Sequence, residues 1–322
     1  MKAVILVAYG NADKLEARDL PDPQAGPNEV KVRMAGASIN PIDWKLRSGD
    51  MQAMRPLVFP AVLGRDASGE VVAVGSGVSR LKVGTRVMGL VNEAYAEFVI
   101  APATAWAEVP AKMDLVDAAA LPLVLLTGAQ LIEAVLRPRK GDVVLVTGAV
   151  GSVGRTAVFV AKMQGAKVWA GVRGKQTAEA STLGADGVVA LDSDADIAQL
   201  PLLDGIADTI GGPTLAKLFG KMKRGGTIGS VVGEPAGAKE QGLVVRGAMT
   251  HPDAARLAAL AQAVADGKLV IPIIKRFPLS QAREAQELAE QHPGGKVILT
   301  GPVRAREPGL KLGNDARAAH RQ

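Results

Sequence analysis

The sequence predicts an α/β chain in which a doubly wound parallel sheet sits beside a second, barrel-like domain built from both ends of the polypeptide. Three observations predict it. The residue grammar changes after Pro122, from short β-like runs broken by turn formers to strand, helix, strand, helix. Apolar residues make up 48% of the 322 residues but aromatics only 3%, so the core is Val, Leu, Ile and Ala, which suits parallel strands covered on both faces. The last apolar segment then breaks the βαβ rhythm, as a return to the first domain would.

The elements follow in order. MKAVILVAY is read as a first strand, because Gly10, Asn11 and Asp13 follow without a small-residue cleavage pattern. EVKVRMAGASI, ASGEVVAVGSG, TRVMGLV and AYAEFVIAP alternate and are punctuated by Gly and Pro, which argues for a compact antiparallel barrel. AAALPLVLL, from Ala118, falls short of a bilayer span. VVLVTGA (143–149) is a strand, SVGRTAVFVAKMQGA an amphipathic helix ending at Gly165, KVWAGV the next strand, TAEASTLGA a helix and DGVVALD a third strand. ADTIGG, TLAKLFGKMKRGG and TIGSVVG repeat strand, helix, strand, and DAARLAALAQAVAD (253–266) closes the sheet before Gly267. A further strand, a helix with Ser280 as N-cap and the strand KVILT complete the ordered chain. The division expected is 1–123 with 269–301 as one discontinuous domain, 124–268 as a dinucleotide-binding domain, and 302–322 as a flexible basic tail.

The loop in VLVTGAVGSVG, residues 144–154, sits between a buried strand and a helix, the context a dinucleotide requires. Gly148, Ala149, Gly151, Ser152, Val153 and Gly154 form it: Gly151 lets backbone approach a pyrophosphate, Gly154 lets the helix pack closely, and free N–H groups at the helix start meet the phosphate charge. A tight turn needing glycine for its dihedrals is the plainer explanation. At the end of the next strand, KVWAGVRGKQ carries no acid to take a ribose 2′-hydroxyl; Arg173 and Lys175 stand there and complement a 2′-phosphate. NADPH is therefore the expected cofactor. The alternative for both cations is a solvent-facing loop.

Composition excludes several chemistries. With no cysteine there is no disulfide, no thiolate catalysis and no cysteine-ligated metal, and the only histidines are His251, His292 and His320. The acidic run Asp192, Asp194 and Asp196 reads as a solvated loop. Of the net +6, about half lies beyond Thr300, where Arg304, Arg306, Lys311, Arg317 and Arg321 outnumber Glu307 and Asp315, so a nucleic-acid groove is not expected. No membrane partner and a cytoplasmic location are expected.

These residues resemble the medium-chain dehydrogenase/reductase superfamily, in particular its zinc-independent quinone oxidoreductase branch, which includes zeta-crystallin. The resemblance runs from Met1 to about Thr300 and rests on MKAV, LPDPQAGPNEVKVRM, NPIDWKLRSG (40–49), LGRDASGEVVAVGSGV (63–78), LPLVLLTGAQ (121–130), AVGSVG (149–154), LGADGVV (183–189) and GGKVIL (294–299). Thr85 departs from a usual Asp, Ser152 from a frequent glycine, and the tail is unmatched. The resemblance implies a Rossmann-type sheet, a discontinuous GroES-like barrel and a homodimer formed through the edge of the nucleotide sheet. Zinc-dependent alcohol dehydrogenases are similar too, but they ligate metal with cysteine and with a histidine where this chain has Arg65, between Gly64 and Asp66.

What the resemblance implies chemically is zinc-independent, NADPH-dependent reduction of quinones or α,β-unsaturated carbonyls, acceptors that take hydride without a Lewis acid. The same resemblance puts Asn40 near nicotinamide and substrate, with a cap before Pro41 as the plainer reading, and Lys45 at the acceptor oxygen, with a surface lysine as the alternative. Asp43 is read as holding the turn, Trp44 as packing, Tyr95 as barrel core, and Arg65 as pairing with Asp43 or Asp66 or filling the metal void. Thr127 is expected to hydrogen-bond the nicotinamide or its ribose, and Val231 and Gly233 to approach the carboxamide. A non-catalytic NADPH-binding regulator, an RNA-binding protein and an enoyl-thioester reductase are the alternative functions.

Overall fold

A computed structural model describes residues 1–301, so the expected tail at 302–322 lies outside the described residues. The first part of the chain forms β1 (Lys2–Leu6), β2 (Leu15–Asp19), β3 (Glu29–Ser38), α1 (Pro41–Ser48), β4 (Ala61–Val62), β5 (Asp66–Val74), β6 (Arg86–Leu90), β7 (Phe98–Pro102) and β8 (Trp106–Glu108). Next come α2 (Pro122–Gln130), β9 (Val143–Thr147), α3 (Ser152–Met163), β10 (Lys167–Val172), α4 (Thr177–Ala180), β11 (Gly187–Ala190), α5 (Asp194–Ala198), β12 (Leu203–Asp208), α6 (Gly212–Ala216), β13 (Met222–Ser230), β14 (Val244–Gly247) and α7 (Ala254–Ala265). β15 (Ile273–Pro278), α8 (Ala282–Glu290) and β16 (Lys296–Thr300) close it.

The parallel sheet has the order β11-β10-β9-β12-β13-β14. From β9 the chain lays β10 and β11 to one side, then crosses over and lays β12 to β14 on the other. The order therefore reverses between β9 and β12, and the crevice outside their carboxyl ends is where such sheets bind ligands. The apolar run of β9 serves both faces: Val144 and Val146 join the core that includes α2, α3 and α7, while Leu145 packs with Ile206, Leu215 and Leu218.

A second sheet runs β15-β16-β3-β5-β6-β8, with β7 also on β3, and a small sheet β2-β1-β4 lies apart from it. β16 pairs antiparallel with β3, joining Ile298 to Ser38 across most of the chain. Arg47 fastens the same closure from α1. Buried, it donates to Gly10 O at 3.1 Å and to Gln286 Oε1 of α8 at 2.7 Å, and it pairs with Glu290 at 2.6 Å.

Several elements differ from their sequence reading. The strand read in ADTIGG lies earlier, because Leu203, Ile206 and Ala207 fill the core and Thr209–Gly212 turns away through Gly211 and Gly212 at positive φ. The helix read in TLAKLFGKMKRGG stops early, and Met222 already pairs as strand with Leu203. Ser280 sits inside a tight 3₁₀ turn, Leu279–Gln281, and is not the cap of α8. β14 escaped the reading altogether. The helical run Asp117–Leu136 is 20 residues long and apolar enough to match a bilayer, unlike the shorter run read from sequence. Its Leu125, Leu126, Leu131 and Ile132 are fully buried in the protein core.

Gly154 sets how near α3 comes to β9: a Cβ there would stand 2.2 Å from Gly148 O. Gly154→Ala is expected to cost about 1–3 kcal/mol, as overpacking does, because the clashing atom is backbone. At Gly151 a Cβ would meet only Gly148 O, at 3.2 Å, so Gly151→Ala is expected to cost clearly less. Denaturant unfolding of both variants checks the order.

Candidate functional site

The loop after β9 leaves an open cradle at the switch point. Gly148 turns at φ 63°, and a Cβ on it would strike Thr209 Oγ1 at 2.5 Å, so the turn needs glycine. Gly151 caps α3 with extended backbone and no side-chain acceptor, and apart from Gly148 O the space beside it is open. The first N–H groups of α3, from Ser152, Val153 and Gly154, thus lack intrahelical partners, and a helix start of this kind fits a pyrophosphate. Ala149 is buried behind the loop.

A buried carboxylate fixes the floor. Asp208, fully buried at the end of β12, accepts from Thr147 Oγ1 and Ser230 Oγ, each at 2.8 Å, and from the N–H groups of Ile210 and Gly211 at 3.2 and 3.0 Å. It binds the carboxyl ends of β9, β12 and β13 into one unit. Thr209 completes the clamp by donating its hydroxyl to Thr147 O at 2.7 Å. Val231, whose N–H reaches Asp208 O at 3.1 Å, and Gly233, at φ 114°, lead away from it. Thr127 on α2 is buried, its hydroxyl 2.7 Å from that of Thr250. Gln130 exchanges hydrogen bonds with the His251 backbone, so α2 holds the segment after β14 at two consecutive residues.

Arg173 and Lys175 follow β10 at the same end of the sheet. Both are exposed, and neither side chain has a hydrogen-bond or ion-pair partner among the described residues. Their turn is held by Asp192, whose Oδ1 accepts from Gly174 N at 2.8 Å. The other acids of that run have separate partners, Asp194 an ion pair with Lys217 and Asp196 the hydroxyl of Ser193.

In the first part of the chain, the NPID segment rests on a buried polar network. Asn40 is fully buried: its Nδ2 donates to Asp66 Oδ2 at 2.8 Å and its Oδ1 accepts from Lys296 Nζ at 2.5 Å. Its amide is therefore committed to the scaffold and offers no free group to a ligand. Asp66 also accepts from Ser38 Oγ at 2.6 Å and from Leu123 N at 2.7 Å, and Lys296 Nζ lies 3.9 Å from it. Burial pushes the Asp66 carboxyl up and the Lys296 ammonium down, and their mutual attraction opposes both shifts.

Asp43 takes Asn40 N at 2.8 Å and the Tyr95 hydroxyl at 3.0 Å, both through Oδ2; its buried Oδ1 meets no donor among the described residues. Burial pushes its carboxyl up to about 7 against those two hydrogen bonds. Tyr95 is core, as read, and burial raises its hydroxyl well above the usual range. Trp44 is half-buried, edge-on to His292 with ring centroids 6.0 Å apart. Lys45 is half-buried, with no partner among the described residues.

Arg65 pairs with neither Asp43 nor Asp66; Nη1 donates to Asn92 Oδ1 at 2.7 Å. The donors here do not fit zinc. Asp66 is spent on N–H and O–H groups, Asp43 leaves a single oxygen without a donor, Arg65 brings a guanidinium beside them, and no group of three His, Cys, Asp or Glu gathers among the described residues.

Sequence reasoning missed Asp66 and Lys296 as a pair, the Asp208 clamp and Thr250. Asp208 had a readable signal, an acid ending an apolar strand run. Lys296 had a weaker one, a cation opening the apolar strand KVILT.

Comparison with known proteins adds relatives over nearly the whole chain. Residues 26–111 match the alcohol dehydrogenase GroES-like domain and residues 183–299 the zinc-binding dehydrogenase family. A quinone oxidoreductase of Pseudomonas aeruginosa is 30% identical over 92% of this chain and 99% of its own. The solved quinone oxidoreductase of Coxiella burnetii superposes with a TM-score of 0.84 at 31% identity, covering 94% of this chain and 99% of that one. A mycobacterial protein solved as a complex with NADPH superposes at 0.80 with 26% identity, over 93% and 100%.

The raised Asp43 carboxyl means that the folded chain holds a proton the unfolded chain has released, so this group's contribution to stability falls as pH rises from about 4 through about 7. Asp43→Asn keeps an acceptor for Asn40 N and removes the titration. Its melting temperature is expected to lose part of the decline that the parent shows over that window; an unchanged slope refutes the assignment.

Proposed function

Because the chain belongs to the quinone oxidoreductase family of the medium-chain dehydrogenase/reductase superfamily, we propose that it is a zinc-independent, NADPH-dependent reductase of quinones or α,β-unsaturated carbonyls. The observation that carries the reading is the open Gly151 cradle beside two unpartnered cations. Bare N–H groups of α3 suit a pyrophosphate, and Arg173 and Lys175 suit a 2′-phosphate.

When bound there, the reduced nucleotide supplies a hydride. The chain's own residues do the rest. Asp208 holds the loops of β9, β12 and β13 so that Gly148, Ala149, Gly151, Ser152, Val153 and Gly154 keep their shape before any ligand arrives. Thr127, fixed by Thr250, and the backbone at Val231 and Gly233 would hold the nicotinamide half. Lys45 is the side chain that α1 offers to an acceptor, since it alone of the two expected residues is uncommitted; Asn40 acts as a positioning residue through Lys296 and Asp66. Two copies pairing along the open edge at β14, where Val244 and Met249 are exposed, belong to the same reading.

Replacing Arg173 and Lys175 together with alanine is expected to raise the KM for NADPH by roughly 10- to 100-fold, the loss of one or two charge-assisted hydrogen bonds, and to leave that for NADH nearly unchanged. Equal effects on both nucleotides would refute the 2′-phosphate assignment. Turnover of a panel of quinones, alkenals and enones is expected to survive prolonged chelation. Activity lost to a chelator and restored by zinc overturns the metal-independent reading.

A further inference from the structure

We propose that the open cavity at the amino-terminal ends of β9, β12 and β13 binds a small phosphorylated compound, one carrying a di- or triphosphate group, through Arg137, Arg139 and Arg224. This site lies at the opposite end of β9 from the glycine loop and stands whether or not the reductase reading above holds.

The cavity has a volume of about 370 Å³. On its wall the cations Arg137, Arg139, Lys223 and Arg224 outnumber the acids Asp142 and Asp204. Both acids are already engaged. Asp204 accepts from Val143 N at 2.8 Å and turns its two oxygens to Lys223 Nζ, at 2.7 and 2.8 Å. Asp142 accepts from the backbone N–H of Arg139 at 2.7 Å. Lys223 is thereby neutralised, and three arginines are left, of which Asp142 offsets at most one. The side chains of Arg139 and Arg224 have no partner among the described residues. Arg137 spends only its Nε, which donates to Ala134 O at 2.8 Å. All three are exposed to an incoming ligand.

Two irregular pieces of backbone bring these cations together. Met222 pairs with Leu203 and Thr227 with Gly205, so the residues from Lys223 to Gly226 bulge opposite the single Asp204. Gly225 turns the bulge at φ 75°, and Lys223 and Arg224 reach the cavity on it. Bulges are rare between parallel strands and re-aim side chains where they occur. From the other side, the π-helical turn Leu131–Leu136 after α2 ends on Arg137 in the left-handed region, at φ 52° and ψ 55°. That conformation is unfavourable for a residue with a Cβ and open to glycine. The chain nevertheless has an arginine there, on the cavity wall.

A guanidinium fork matches phosphate oxygens two at a time. Three such forks around one concavity suit a compact ligand with several phosphate charges, whereas a nucleic-acid backbone calls for cations spread along a stripe.

Titration calorimetry of inorganic pyrophosphate into the NADP⁺-saturated protein at low salt tests the site. One pyrophosphate per chain is expected to bind, less tightly as salt is raised. Arg139→Gln combined with Arg224→Gln is expected to loosen it by about 10-fold or more, the loss of at least one charge-assisted hydrogen bond. Arg137→Gly preserves the left-handed turn, removes the guanidinium and is expected to loosen it too. Arg173→Ala with Lys175→Ala, at the other end of the sheet, is expected to leave it unchanged. Wild-type protein that binds no pyrophosphate, or binding that survives both the double Gln variant and Arg137→Gly, overturns the proposal. Binding lost with Arg173→Ala and Lys175→Ala places the anion in the nucleotide crevice and overturns it as well. A short oligothymidylate that binds more tightly than pyrophosphate, and is lost in the same arginine variants, overturns the small-molecule assignment in favour of nucleic acid.

Discussion

The carboxylate of Asp66 constrains the whole first half of the molecule. A charge taken out of water is tolerated only where donors surround it, and here they come from β3, from the NPID turn, from the start of α2 and from β16. These four segments must be in place together. The discontinuous architecture therefore follows from more than strand pairing: Lys296 hydrogen-bonds Asn40, 256 residues away in sequence, and accompanies Asp66. The same carboxylate takes the N–H of Leu123, so the wall carrying Lys45 and Arg65 is referenced to the helix carrying Thr127.

The nucleotide half repeats the device with a different acid. Asp208 gathers two hydroxyls and two backbone N–H groups where the strand order reverses, the point at which a parallel sheet leaves its loop ends least supported. Each half thus carries a saturated, fully buried aspartate, Asp66 in one and Asp208 in the other. Saturation matters, because a hydrogen-bonded buried network is rigid while a half-satisfied one is a source of disorder. The glycine loop and the NPID turn are then positioned by buried polar groups.

The fold class was legible because it is written in local periodicity: β10 and β16 fall on KVWAGV and KVILT, and α3 and α7 lie within the helices read. Where the reading slipped, tertiary contacts decided. β12 is pulled toward Leu203 by pairing with β13, and Ser280 lost its cap to a turn set by Pro278. The close packing of the glycine loop was legible at Gly154, whose missing Cβ lets α3 close on β9. The first-domain wall was legible only as a motif. NPIDWK marks a turn entering a helix, but nothing local tells that Asn40 turns inward to Asp66 and Lys296 while the Lys45 ammonium has no partner among the described residues; long-range partners fix that, and their separation leaves no period in the sequence.

Unpaired cations connect the two halves. In this chain buried arginines mostly find glutamates, so a cation left without one stands out: Arg65 and Arg55 at the barrel wall, Arg173 and Lys175 at the end of β10. Arg173 and Lys175 lie where the proposed function brings the permanent charge of a 2′-phosphate.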